Sequence, residues 1–81
     1  MYFVYVLISL KDNTTYIGMT EDLEKRLKEH NLGKTRSIKH KVPLKLVYFE
    51  AYNDKTKARK RELELKNNSS EKEKLYKRIF N

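Results

Sequence analysis

The chain has 81 residues, no cysteine, and nineteen Lys or Arg against eleven Asp or Glu, a formal net charge of +8. A domain this small buries only about 60–65% of the surface its unfolded chain exposes, which commits most apolar side chains to a core and leaves little room for a deep ligand pocket. The absence of cysteine excludes disulfides and thiolate metal sites. With no basic region ahead of the first apolar run, which is too short to cross a bilayer, the expected setting is cytoplasmic, with no membrane partner.

Tyr2-Phe3-Val4-Tyr5-Val6-Leu7-Ile8 carries no polar alternation, so it predicts a central strand from Tyr2 to Leu10, buried on both faces. Lys11-Asp12-Asn13 supplies a turn, and Thr14 to Met19 returns as a second strand in which Gly18 marks a bend or a close backbone approach. Thr20 is the expected N-cap of a helix reaching about Leu32, with Glu21 and Asp22 at its positive end and Gly33 closing it in left-handed geometry. On its wheel Leu23, Leu27 and His30 share one stripe, and Arg26 falls at the margin, half-buried. A guanidinium there needs an anion or exposed acceptors. A plainer reading is an arginine whose stem covers the core while its head reaches solvent. His30 taken alone is equally a packed, hydrogen-bonded histidine.

Leu46 to Tyr52 reads as a third strand, with Pro43 in the loop before it. Asn53 or Asp54 caps a helix to about Lys66, on which Ala58, Glu62 and Leu65 face one way while Glu64 lies round the other side. An inward carboxylate at Glu62 needs a cation, a strong donor set or a raised pKa; an ion pair with Arg59 or Lys66 would satisfy it. Asn67 and Asn68 break the helix, and Ser70 with Glu73 suggests a capping box for a last helix burying Leu75, Ile79 and either Tyr76 or Phe80. The expected fold is α+β, ordered β-β-α-β-α-α. A small three-stranded antiparallel sheet, first strand central, is flanked by helices in one domain spanning 1–81.

The charge is unevenly spread. Residues 1–24 hold one Lys against four acids, whereas residues 25–45 hold eight Lys or Arg against Glu29 alone. Lys34, Arg36, Lys39 and Lys41 lie in the loop after the first helix, and Arg59 lies in the basic front of the second. Such a surface suits a polyanion by neutralising phosphates and releasing counterions, which makes nucleic acid the expected partner. Basic loops also serve simply to keep small domains soluble.

Several of these residues fall in a recognisable order. Tyr5 lies in Val4-Tyr5-Val6, and ten residues separate it from Tyr16-Ile17-Gly18. Arg26 comes ten residues after Tyr16, His30 follows, and Ala58-Arg59-Lys60-Arg61-Glu62 ends on the inward acid. This set resembles the GIY-YIG nuclease family, in particular its small stand-alone single-domain bacterial group, over nearly the whole chain. Two departures stand out: the first motif lacks its Gly, and Met19 stands where some members carry a Lys. The resemblance implies a metal-dependent endonuclease that hydrolyses phosphodiester bonds in nucleic acid, DNA ahead of RNA. One Mg²⁺ or Mn²⁺ would sit at Glu62, Arg26 would grip the scissile phosphate, and Tyr16 would be the general base. His30 would share the proton or orient the water, and Tyr5 would close the site beside Tyr16. The alternative is a non-catalytic nucleic-acid-binding or DNA-repair accessory module; a third reading is an interaction module. Target choice would come from nucleic-acid shape, self-association or a protein partner.

Overall fold

The most apolar stretch of the chain became the middle of the sheet. In a computed structural model describing residues 1–81, β1 (Tyr2–Ser9) lies between β2 (Thr15–Thr20) and β3 (Leu44–Tyr52), antiparallel to both. Val4, Tyr5, Val6 and Leu7 are all buried because side chains on each face of β1 meet a separate cover. Val4 and Val6 pack with Ile17, Ala58, Leu65 and Leu75 on one face. Tyr5 and Leu7 pack with Ile38 and Leu44 on the other, joined by Tyr16, Leu23 and Leu27. Helix α1 (Leu23–Asn31) thus covers one face, and α2 (Lys55–Asn67) and α3 (Ser69–Phe80) the other. A 3-10 turn at Lys39–Lys41 leads towards β3.

The expected fold class, element order and central strand are those observed; the differences lie at the ends of elements. Asp22, not Thr20, caps α1: its carboxylate accepts from the Lys25 amide at 3.1 Å, a better acceptor than a hydroxyl at the positive end of the helix. Thr20 instead accepts the Asp22 amide one step earlier. β3 begins two residues ahead of the expected Leu46, because the Asn31 side chain holds both the amide and the carbonyl of Leu44, at 2.6 and 3.0 Å. Asp54 caps α2, accepting from the Thr56 amide at 2.8 Å. Asn68 closes α2 and caps α3, accepting from the Glu71 amide, so Ser70 lies inside the helix and no Ser70–Glu73 capping box forms. Leu75 is buried and Tyr76 half-buried, while Phe80 is exposed.

Two turns and one polar clamp hold these elements in place. Asn13 takes the left-handed turn position (φ 62°) and Gly33 closes α1 at φ 76°. Glu50 on β3 takes hydrogen bonds from Tyr48 and Tyr52, both at 2.6 Å, and from the Arg61 guanidinium at 3.0–3.3 Å. Arg61 also pairs with Glu64. The clamp fixes the roll of α2, and with it the direction of the next residue, Glu62.

Candidate active site

The pairing register brings the tyrosines together. Tyr5 faces Gly18 and Leu7 faces Tyr16 across the β1–β2 ladder, and since alternate residues share a face, both phenols project towards α1. Their ring centroids are 6.4 Å apart. Gly18 is required here: a Cβ at that position would overlap the Tyr5 hydroxyl and ring. The glycine lets the Tyr5 ring lie against the neighbouring strand.

From α1, His30 comes under both rings. It is fully buried, with its ring centroid 5.9 Å from that of Tyr5 and 5.2 Å, edge to face, from that of Tyr16. Its Nε2 is 2.8 Å from the Tyr5 hydroxyl and its Nδ1 is 2.5 Å from the Thr35 hydroxyl. With the Arg26 cation at the phenol oxygen, the Tyr5 proton is best directed to Nε2, and Nδ1–H is then donated to Thr35. Burial, reinforced by the Arg26 charge, lowers the imidazole below its ordinary 6.5, so it is neutral at pH 7. Burial and then the neighbouring Tyr16 push the Tyr5 phenol up to about 12, against the weaker pull of Arg26.

Arg26 is half-buried, as its place on the wheel implies. Burial works against its charge, but Glu29, 3.2 Å away, and the Tyr5 hydroxyl outweigh this and hold the guanidinium above its ordinary value. Glu62 approaches from α2. Its side chain is 13% exposed, against 46% for Glu64, and it accepts from Lys66 Nζ at 3.0 Å. Its charge bears on the Tyr5 phenol. Lys66 Nζ lies 6.0 Å from the centroid of the Tyr16 ring. The two cationic partners left open for Glu62 therefore resolve to Lys66, while Arg59 is exposed.

Of the basic residues, Lys34, Arg36 and Lys39 lie in the segment that Thr35 ties to His30, and all three are exposed. Lys41 is turned away: its ammonium binds the Thr14 hydroxyl at 2.5 Å and Asp12 at 3.3 Å, anchoring the loop to the hairpin. Thr35 and Glu29 are partners of His30 and Arg26 not anticipated from the sequence. Glu29 had a readable signal, three residues from Arg26 on a helix. Thr35 had none, because it lies past the helix end, outside any periodic pattern.

Comparison with known proteins places the chain in a family. The family model of the GIY-YIG catalytic domain matches residues 1–77. A UPF0213 protein of Clostridium perfringens is 43% identical over 67 residues, covering 82% of this chain and 71% of its own. A Bacillus subtilis member is 38% identical over 76 residues, covering 93% and 76%. The solution NMR structure of a UPF0213 protein from Bacillus halodurans superposes with a TM-score of 0.58 at 28% identity, covering 99% of this chain and 88% of that one. With that family model spanning all but the last four residues, the chain belongs to the GIY-YIG catalytic domain family.

Proposed function

We propose that the protein is a metal-dependent endonuclease that hydrolyses phosphodiester bonds in nucleic acid, with DNA the first substrate to try. The observation that carries this reading is the meeting of two phenols, a guanidinium, a neutral imidazole and a carboxylate around the β1–β2 pair. The net charge of +8 and the basic side chains of Lys34, Arg36, Lys39 and Arg59 suit the polyanion such a site would act on.

Glu62, a largely covered carboxylate of α2 whose charge bears on Tyr5, is the acid this reading assigns to the metal, and no group of three His, Cys, Asp or Glu gathers anywhere in the fold. A lone carboxylate fits one hard divalent ion, Mg²⁺ or Mn²⁺, that keeps most of its water. When bound, such an ion supplies charge neutralisation at the phosphate. Arg26 carries a permanent charge held by Glu29, so it can grip a non-bridging oxygen and oppose charge growing there. A general base must touch the water it deprotonates. Tyr5 is only 2% exposed, whereas Tyr16 is half-exposed, so Tyr16 takes that role. Tyr5, His30 and Thr35 form the buried chain against which the Tyr16 ring rests. Removing the Tyr16 hydroxyl should therefore cost ~100-fold or more in cleavage, with Tyr5→Phe showing a smaller loss of turnover and a larger loss of stability.

The test is a cleavage assay on duplex, branched and single-stranded DNA and on RNA, each with Mg²⁺, Mn²⁺ or EDTA. Cleavage of at least one substrate that EDTA abolishes supports the reading. Salt-sensitive binding to all of them with no metal-dependent cleavage would make the protein a binding module instead.

A further inference from the structure

β2 carries no cation, and Met19 follows its Tyr16-Ile17-Gly18 motif, so positive charge beside Tyr16 must come from elsewhere. It comes from α2. Lys66 binds the Glu62 carboxylate at 3.0 Å and places the same ammonium 6.0 Å from the Tyr16 ring centroid, joining residues from opposite faces of the sheet at its β2 edge. This is unlike an ordinary helix-surface pair. In the comparable Lys77–Glu73 pair, 3.9 Å apart, both side chains are about 70% exposed, whereas Lys66 is 41% and Glu62 only 13% exposed.

The geometry points to Lys66 as a further residue of the active site, a resident counter-cation of Glu62 that a divalent ion must displace and that then contacts a substrate phosphate beside Tyr16. This rests on the nuclease reading above. Charge and place both support it. A cation in contact with the carboxylate opposes a second cation arriving at the same oxygens, and its hydrogen bond gives the inward Glu62 a partner while no metal is bound. Once released from Glu62, the flexible ammonium remains beside Tyr16, on the side away from Arg26's helix. Two cations from two helices would then hold one phosphate. Lys66 makes no bond and moves no proton in this scheme; its contribution is electrostatic.

The test compares wild type, Lys66→Met, Lys66→Arg and Glu62→Gln by Mn²⁺ titration without nucleic acid, and by steady-state cleavage at saturating metal. Lys66→Met should bind Mn²⁺ ~10-fold more tightly because the competing charge is gone. Its kcat at saturating metal should fall ~10-fold or more, with Lys66→Arg recovering most of that loss. Unchanged Mn²⁺ affinity, or unchanged kcat, in Lys66→Met would overturn the inference while leaving the nuclease reading in place. A wild-type protein that neither binds Mn²⁺ at Glu62 nor cuts would overturn both.

Discussion

Gly18 and Tyr5 show how one missing methyl group sets up a site. Gly18→Ala would drive a Cβ into the Tyr5 hydroxyl, and relief must come from moving a buried ring, at a cost of about 1–3 kcal/mol. The same movement breaks the Tyr5–His30 hydrogen bond, so the expected result is a lower midpoint in urea and a shifted His30 resonance. His30 also predicts a pH dependence. Its pKa is lowered in the folded state, so above the ordinary 6.5 neither state holds the proton and this contribution is flat. Below 6.5 the unfolded chain takes up a proton that the folded protein resists, and stability falls with pH until the folded-state value is passed. Glu50 has the same sign lower down. Although burial opposes its charge, Arg61, Tyr48 and Tyr52 outweigh that and lower its pKa, so stability falls again below 4.5. Urea titrations from pH 8 to about 3 should show both losses, and a profile flat from pH 6.5 to 5 would contradict the burial of a neutral His30.

At the level of elements, α2 is the helix that carries Glu62, the acid assigned to the proposed site. Its inner stripe of Ala58, Glu62 and Leu65 was readable from helical spacing alone, and so was the outward place of Glu64. What holds the helix at that roll was not readable. Arg61 reads in sequence as one more charge in a basic run, and its partner Glu50 lies eleven residues back on a strand whose pairing no local pattern gives. Thr35 and the Lys66–Tyr16 contact were hidden for the same reason: each joins segments that only the folded sheet brings together. Asp54 is one of the two caps expected for α2, whereas the caps of α1 and α3 each lie two residues from the expected Thr20 and Ser70, because neighbouring Thr, Asp, Asn and Ser compete for one position and local geometry chooses among them. Glu50→Ala should lower stability by about 1–3 kcal/mol by leaving Arg61 and the two phenols without their acceptor. It should also reduce cleavage although Glu50 touches no reacting group, and an unchanged kcat would show that α2 keeps its roll without the clamp.

For the molecule as a whole, the basic loop begins where Thr35 meets His30, so charge that attracts a polyanion adjoins the residues that would act on it. No helix is long and apolar enough to cross a membrane. Replacing Lys34, Arg36 and Lys39 with Ala should weaken nucleic-acid binding equally across sequences and flatten its salt dependence by ~0.9 in log–log slope for each duplex phosphate no longer neutralised. An unchanged slope would put the binding face elsewhere. The most direct test of the central claim is the paired comparison of Glu62→Gln and Glu64→Gln in Mg²⁺-dependent cleavage, with urea midpoints and nucleic-acid affinity measured on the same preparations. Glu62→Gln should lose at least ~100-fold in cleavage while folding and binding persist, and Glu64→Gln should cut like wild type. Equal activity in the two variants, or loss confined to Glu64→Gln, would contradict the assignment of Glu62 to the site.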